Sequence, residues 1–336
     1  MNSLKDRHWP RLPSPLPKDV TDRVLMGYPE HYREYPLVEQ VGMAIRALLD
    51  SPVEQLLAQL QSADTPLYQR IGAGEVLGLR GDPRIDVFNP QMIDIPGATV
   101  QIGLAPERVG EVLDAFDGLG LDRSWIEKET PLHSVQLDRY RIARFAVTNS
   151  EYRAFLLDTG HPSLPSSWAF GRYPQQRANH PVYSVSDSDA DAYAQWLSQR
   201  TGRRFSLPTE AQWEHAAAGP QRLQFPWGEH FHAEYANTIE LGYLDSTPVG
   251  VFPEGASVFG VLDMAGNVEE YVADDYRPYP GGPQINDDLV LDVGRHRIAR
   301  GGSFTRFRDL ARNPRRHGRY PRPIYVMGFR LVENNN

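Results

Sequence analysis

The chain has 336 residues, of which 40% are hydrophobic, and a formal net charge of −8 at pH 7. A chain of this length can bury a sizeable core and hold two or three domains. It contains no cysteine, which excludes disulfide bonds, thiolate metal sites and a cysteine nucleophile. The negative charge argues against general binding to nucleic acid, and the apolar runs are too short to span a bilayer. The first residues lack the apolar segment of a secretory signal, so we expect a cytoplasmic protein.

Proline, tyrosine and charged residues dominate residues 1–35, which we expect to form an extended arm over the surface. Residues 36–89 show helical spacing and predict three helices, with Pro52 in the first turn of the second and Gly81 at the end of the third. The apolar stripe of the first helix consists of Val38, Val41, Ile45, Leu48 and Leu49. The LGLRGDPR ending of the third helix resembles HEAT-like helical hairpins. We therefore expect a packing platform, with docking of a partner protein as the alternative.

The next part of the chain favours strands. Met92–Gly103 is a predicted strand, and an acidic loop is predicted at Pro106–Thr130. His133 begins a further alternating segment that predicts another strand. Because no partner histidine stands at a fixed spacing from it, a structural role for His133 is favoured over metal ligation or catalysis.

Three later helices have amino-terminal capping signals. The predicted N-caps are Thr148 (with Asn149), Ser186 and Thr209. The helix Glu210–Ala218 also has Gln212 at the capping-box position and Gly219 directly after its end. We expect Trp213 of this helix to face the core.

Clusters of glycine and aromatic residues recur in the carboxyl-terminal third of the chain. Between Phe225 and Val332 they read FPWG, TPVGVFP, GVLDMAGNVEEY, ARGGSF and MGFRLV. Together with RFSLPTEAQWEHAAAG at Arg204–Gly219, these motifs resemble the formylglycine-generating enzyme family, also called the sulfatase-modifying-factor family. The resemblance implies an α+β fold, with a loop-rich, C-type-lectin-like domain at residues 90–333 preceded by a short helical region.

The DMAGNVEE turn brings two carboxylates and several carbonyls close together, and calcium prefers six to eight oxygen ligands. The resemblance implies a structural calcium site here, with ligands from Asp263, Gly266, Val268 and Glu270. The two tryptophans of the family motif are replaced by Glu269 and Tyr271. A second calcium site of the family would use Asn237 and the carbonyl of Thr238, but the acid expected before TPVG is missing.

The resemblance also leads to two expectations about redox metals, one about copper and one about iron. Formylglycine formation depends on two copper-binding cysteines, which the resemblance aligns with Arg308 and Asn313, so formation by that route is excluded. Another branch, the ergothioneine-type sulfoxide synthases, holds non-haem iron with three histidines. Here His8 and His31 are isolated, and His230 and His232 form a lone pair with no evident third ligand. An iron- or copper-dependent oxygenase or oxidase is kept as an alternative.

The segment that corresponds to the family's active site is rich in arginine. Guanidinium groups donate forked hydrogen bonds to carboxylate or phosphate and stack on aromatic rings. The residues predicted to line a ligand pocket are Arg306, Arg308, Asn313, Arg315, Arg316, His317, Arg319 and Tyr320. By contrast, Arg300, Arg312 and Arg330 lie inside family motifs, and we expect them to pair with the protein's own acids.

These features favour a protein that recognises an anionic small molecule or peptide, with no binding to nucleic acid or membrane. The alternatives are a metal-dependent oxidoreductase, a variable ligand-binding protein of the retroelement type, and a structural or regulatory subunit. The sequence leaves open whether the chain is an enzyme.

Overall fold

The computed structural model describes residues 21–29 and 31–334. Residues 1–20 of the predicted arm lie outside the described residues. The arm is not extended throughout, because Asp22–Leu25 form a short helix, α1, whose first turn is capped by the side chain of Thr21.

Helices and strands are mixed along the chain, as the α+β prediction requires. The helices after α1 are α2 (Pro36–Leu48), α3 (Val53–Gln61), α4 (Leu67–Arg80), α5 (Val109–Ala115), α6 (Arg123–Glu127), α7 (Asn149–Thr159), α8 (Asp187–Thr201), α9 (Glu210–Ala218) and α10 (Asp288–Val293). The strands are β1 (Met92–Ile95), β2 (Ala98–Ile102), β3 (His133–Leu137), β4 (Tyr140–Ala143), β5 (Phe205–Ser206), β6 (Glu269–Asp275), β7 (Arg297–Arg300), β8 (Met327–Phe329) and β9 (Val332–Asn334). Within the described residues, no helix combines the length and the apolar character needed to cross a membrane.

The three helices predicted between residues 36 and 89 are confirmed as α2, α3 and α4. The predicted stripe of α2 is only partly buried. Val41 and Leu48 are buried in the core shared with α3 and α4, whereas Val38 is 45% exposed and Leu49 is 47% exposed. The contact face of α2 is therefore narrower than the apolar spacing indicates, because its main neighbour is the single helix α4.

Gly72 lets α2 and α4 approach each other closely. A Cβ atom at Gly72 would lie 2.8 Å from Ala44 Cβ and 3.2 Å from the backbone nitrogen of Ile45.

We expect Gly72→Ala to destabilise the chain, because overpacking costs about 1–3 kcal/mol and the gain in helix propensity is about 0.5–1 kcal/mol. Gly42→Ala in α2 is the matched control, since a Cβ there would meet only the Arg46 side chain at 3.8 Å. Urea unfolding should show a loss of stability for the first variant and a gain for the second; two gains would contradict the close packing.

Polar contacts hold the helical region against the rest of the protein. The side-chain amide of Asn179 donates to the carbonyl of Gly74 at 2.9 Å and to Asp82 at 2.7 Å. Arg84 in turn donates to the carbonyl of Val249 at 2.9 Å. Because these groups are largely buried, the packing platform forms one structural unit with the loop that contains TPVG.

Three small sheets form the framework of the larger domain. Their strand orders are β1-β4-β9-β5, β2-β3 and β7-β6-β8, and the pairing is antiparallel except between β6 and β8. The predicted strand Met92–Gly103 is split into β1 and β2 at Pro96-Gly97. Proline cannot donate to a sheet, and a Cβ at Gly97 would lie 2.8 Å from the backbone nitrogen of Arg139.

The prediction of an acidic loop at Pro106–Thr130 was wrong, because α5 and α6 lie within it. Apolar residues at helical spacing, including Val109 and Val112 of α5, are buried in a cluster with Phe225 and Phe307. The acidic residues between these apolar positions lie on the outer faces of the helices. They make the composition of the segment acidic, and the helical spacing of its apolar residues is therefore easy to overlook.

The capping predictions are confirmed. Thr148, Ser186 and Thr209 each accept a hydrogen bond from the third residue of their helix, and all three helices begin with a complete capping box. Gln212 closes the box of α9, and Gly219, with φ +64°, ends this helix. Trp213 is fully buried, as expected.

Candidate functional site

Buried ion pairs account for much of the arginine-rich segment. Arg316, predicted to contact a ligand, instead binds both oxygens of Glu210, at 2.8 and 3.0 Å, and also donates to the carbonyls of Lys128 and Arg277. Both side chains of the pair are less than a tenth exposed. Arg316 therefore supports α9 and the neighbouring loops, and the prediction that it lines a ligand pocket is corrected.

Arg300 and Arg312 pair with acids, as predicted. Arg300 binds Glu210 and also Glu214, at 2.8 Å, while Arg312 makes two hydrogen bonds of 2.9 Å to Glu129. The Arg312–Glu129 pair is fully buried. Burial alone would raise the pKa of Glu210, but Arg316 and Arg300 outweigh it and lower that pKa.

The positions aligned with the family's cysteines are also used structurally. Glu240 accepts hydrogen bonds from the backbone and the side chain of Arg308, at 2.9 and 3.2 Å. Asn313 is fully buried; its side chain donates to the carbonyl of Leu223 and its own carbonyl accepts from Arg300. The fully buried Asn313 is therefore corrected as a pocket residue. Arg308 lines a separate cavity of about 350 Å³ with Arg108 and Phe116, and its contact with a ligand stays a prediction.

A cavity of about 400 Å³ lies beside the same segment. Four parts of the chain line it: Leu25 of α1, residues 119–125, the start of α10 and residues 305–325. Of the predicted pocket residues, Arg306, Arg315, His317 and Tyr320 line this cavity. The exposed Arg319 is not among the lining residues.

Carboxylates form one wall of the cavity. Asp287, Asp288 and Asp292 come from α10 and the residue before it. Trp125 Nε1 donates to Asp288 at 2.7 Å, and the hydroxyl of Tyr320 donates to Asp292 at 3.4 Å. Asp287 is neutralised by Lys128, whose ammonium lies 2.7 Å from it. Asp288 and Asp292 thus give this wall its negative charge, and no motif in the sequence marks either residue.

A second group of lining residues contains guanidinium groups and a further acid. Arg315 donates through Nη1 to the carbonyls of Trp125 and Arg316, and its Nε lies 3.7 Å from Asp309. Burial raises the pKa of Asp309, although Arg315 and Arg306 oppose the rise. Within the described residues, Arg315 Nε is buried without a hydrogen-bond acceptor. Arg315 is therefore held beside the cavity by two backbone carbonyls and by its ion pair with Asp309.

His317, which lines the cavity, pairs with the buried Glu269 behind it. His317 Nδ1 is 2.7 Å from Glu269 Oε2, and Arg306 Nε lies 3.9 Å from Glu269 Oε1. The His317 ring stacks on Tyr325 at 5.5 Å and 17°, and the Arg306 guanidinium lies 4.7 Å from the centre of the Tyr325 ring. Burial, with Arg306 and Arg315 nearby, lowers the pKa of His317 to about 4 against the opposing effect of Glu269. The sequence held one signal for this pair: Glu269 stands where the family motif has tryptophan.

The predicted calcium ligands have other partners. Arg330 binds both oxygens of Glu270, at 2.6 and 2.7 Å, and Trp213 Nε1 donates to one of them at 2.7 Å. This carboxylate is committed to the ion pair expected for Arg330 and does not fit a calcium ligand. Asp263 accepts a hydrogen bond from Gly250, and burial raises its pKa to about 6.

The remaining predicted ligands are close to the same turn. Gly266 pairs with Asn237 in a short bridge, and Val268 is buried. The carbonyl of Thr238 accepts a hydrogen bond from Leu241 at 3.0 Å. Among the described residues, Asn237 Oδ1 and Asp263 Oδ1 are buried without a hydrogen-bond partner. Calcium coordination by these two oxygens stays a prediction.

Among the described residues, the isolated histidines do not assemble into a redox-metal site. His230 and His232 lie on one loop, where His232 stacks on Tyr235 and the backbone carbonyl of His230 accepts from Trp227. Across residues 21–29 and 31–334, no three histidine, aspartate or glutamate side chains form a group that could hold a metal ion. His8 lies outside the described residues. His133 contacts Tyr279 and the carbonyl of Pro131, which agrees with the structural role favoured for it.

Residues 82–335 match the sulfatase-modifying factor enzyme 1-like domain, also named FGE-sulfatase. The chain belongs to this family. It is 30% identical to a hercynine oxygenase of Mycolicibacterium smegmatis over 77% of the chain and 67% of that protein. It is also 30% identical to a formylglycine-generating enzyme of Thermomonospora curvata over 63% of the chain and 82% of that protein. The chain spans about half to two thirds of the length of the hercynine oxygenases that it matches.

The fold of this sulfatase-modifying-factor family member is also that of solved relatives. The structure of PvdO from Pseudomonas aeruginosa superposes with a TM-score of 0.56 and 28% identity, covering 74% of the chain and 95% of PvdO. The family and the C-type-lectin-like fold that the motifs imply are therefore confirmed. The chain is a cysteine-free member of the family.

Proposed function

We propose that the cavity binds a small molecule that carries an anionic group. The observation that supports this proposal is the pair of guanidinium groups, Arg306 and Arg315, on the wall of a cavity of about 400 Å³. A carboxylate or phosphate would gain charge-assisted hydrogen bonds there. Trp125, Tyr320 and Tyr325 also line the cavity and offer ring faces to an apolar or aromatic part of the ligand.

The charge of the lining narrows the class of ligand. Both signs of charge line the cavity: Asp288 and Asp292 belong to α10, and Arg306 and Arg315 belong to residues 305–325. A polyanion would be repelled by the acidic wall, while a ligand with one anionic and one cationic group would match both walls. The proposed ligand is therefore a small dipolar molecule, and a peptide would reach the cavity through one charged end.

Binding of three compounds that differ in charge tests this proposal. Phenylalanine and 3-phenylpropionate share a phenyl ring, and pyrophosphate is a polyanion. By calorimetry, phenylalanine and 3-phenylpropionate should bind, phenylalanine more tightly, and pyrophosphate should bind weakly. Arg315→Met should weaken the binding of phenylalanine and of 3-phenylpropionate, by about 1.5–3 kcal/mol for each hydrogen bond lost to a charged group. Asp288→Asn should weaken only phenylalanine, because only phenylalanine carries an ammonium group.

Arg108→Met is the control for general charge effects, since Arg108 is 42% exposed and lies outside the cavity. Thermal melts should show that each variant is folded. Absence of binding by every member of the series, or tightest binding by pyrophosphate, would contradict the proposal.

A metal-dependent oxygenase is the second candidate function. It is favoured by the 30% identity to a hercynine oxygenase over 77% of the chain. It is placed second because the described residues provide no group of three ligands of the histidine or carboxylate type. Metal analysis of protein prepared without added metal tests it: iron or copper at one equivalent would move it to first place.

A further inference from the structure

We infer that His317, oriented by Glu269, is the proton-accepting group of this cavity and acts on the molecule bound there as a general base. The inference rests on the proposed function in one respect, namely that the cavity holds the ligand. It adds a catalytic residue, a positioning residue and a class of substrate: a dipolar small molecule with an ionisable O–H, N–H or activated C–H bond.

The His317 side chain is fixed from several directions. Its backbone N–H and carbonyl both bond to Ala299 of β7, at 3.1 and 2.8 Å. Its ring stacks on Tyr325, and its Nδ1 lies 2.7 Å from Glu269 Oε2. Since Glu269 begins β6, which pairs with β7, both members of the pair belong to one sheet. A base held in this way needs little rearrangement before it reacts.

The carboxylate sets the tautomer of the imidazole. An ionised carboxylate can only accept a hydrogen bond, so Nδ1 must carry the proton, and in the neutral ring Nε2 then carries the lone pair. With Nδ1 occupied by Glu269, Nε2 is the ring nitrogen that remains for a molecule in the cavity. The neighbouring charges, Arg306 and Arg315, oppose protonation of the free ring, whereas Glu269 would stabilise the imidazolium formed during the reaction.

The chemical step is balanced without any other reactant. The X–H bond of the ligand breaks, its electron pair stays on X, and the proton forms a bond to Nε2. The new imidazolium faces Glu269, and the new negative charge on X faces the guanidinium wall formed by Arg306 and Arg315. Return of the proton to another atom of the ligand, or to water, restores the base.

A structural ion pair with a charged imidazolium ring would behave differently. If Glu269 and His317 formed only an ion pair, the ring would be doubly protonated at neutral pH. The two roles therefore differ in the number and position of protons on one ring. This difference can be measured in the free protein, independently of any ligand.

Long-range ¹H–¹⁵N correlation of the histidine rings at neutral pH provides the test, with His317→Gln to assign the signal. We expect a neutral ring protonated at Nδ1. In Glu269→Gln the amide oxygen should turn toward Arg306, which lies beside Oε1, so that the amide N–H₂ donates to Nδ1 and the ring becomes protonated at Nε2. His296 is the reference, because its Nδ1 bonds to the carbonyl of Gly294 at 2.8 Å and Glu269→Gln should leave it unchanged.

Acylation by diethyl pyrocarbonate, read by peptide mass spectrometry, supplies a second readout. His317 should react at Nε2, and the reaction should be lost in Glu269→Gln. His296 should be unreactive in both proteins, since its Nε2 is buried without a partner. A doubly protonated His317 ring, an Nε2-protonated ring in the wild type, or a His317 as unreactive as His296 would each overturn the inference. Failure of all three compounds to bind would overturn the proposed function alone, because both readouts use the free protein.

Discussion

Replacing Arg316 with alanine is expected to lower the free energy of unfolding by about 3–5 kcal/mol. The substitution removes both hydrogen bonds to Glu210 and leaves that carboxylate buried with Arg300 as its remaining cation. It also removes donors from two backbone carbonyls and the guanidinium that lies 3.9 Å from the centre of the Tyr279 ring. Chemical unfolding followed by tryptophan fluorescence measures this loss.

Arg319→Ala is the matched control, because Arg319 belongs to the same segment and is exposed. Its side chain makes a hydrogen bond to Tyr271, and loss of one such bond costs about 0.5–1.5 kcal/mol, well below the loss expected for Arg316→Ala. If Arg316→Ala were as stable as Arg319→Ala and had lost binding of 3-phenylpropionate, Arg316 would be a ligand-binding residue, and the correction made from its contacts would itself be wrong.

Glu270→Ala is expected to be destabilised by about 3–5 kcal/mol as well, and the loss should be the same with and without a chelator. The reason is that the substitution leaves the fully buried Arg330 guanidinium without its carboxylate. Removal of the acceptor for Trp213 Nε1 adds to this effect. Thermal melts of wild type and variant, each with calcium and with EDTA, measure both quantities.

Glu127→Ala is the control for loss of a carboxylate in general, since Glu127 pairs with Arg123 on the surface of α6. Such exposed pairs contribute about 0.3–0.5 kcal/mol. A wild-type melting temperature that falls with EDTA, together with a Glu270→Ala variant that no longer responds, would instead assign Glu270 to a calcium site.

Local signals explain how much of the fold the sequence predicts. The caps at Thr148, Ser186 and Thr209 each involve residues within one helical turn, and all three are confirmed. The glycine and aromatic motifs similarly indicate turns, each of which is formed by a few consecutive residues. By contrast, α5 was missed because its acidic outer face dominates the composition of that stretch.

Contacts between distant residues explain what the sequence does not predict. Arg312 and Glu129 are 183 positions apart, and Arg316 and Glu210 are 106 apart. Nothing near either arginine in the chain identifies its partner, so pairing could be predicted for Arg312 only from its family motif and was missed for Arg316. The acidic wall of the cavity was missed for the same reason, because α10 meets residues 305–325 only in the folded chain. Glu269 was visible as a replaced tryptophan and His317 was a predicted pocket residue, but nothing in the sequence indicates that the two residues pair.

The short helix α1 has a practical consequence for the choice of protein fragments. Leu25 lines the cavity, and Asp22 lies 2.7 Å from Arg322 on the same side. A fragment trimmed to the boundary of the family match at Asp82 would lose this part of the wall. It would also lose α2, α3 and α4, and so uncover the apolar residues Leu241, Val251 and Phe252 that these helices bury. Ligand screens on such a fragment would measure a more open and more hydrated site, and weak hits from it would misrepresent the selectivity of the whole chain.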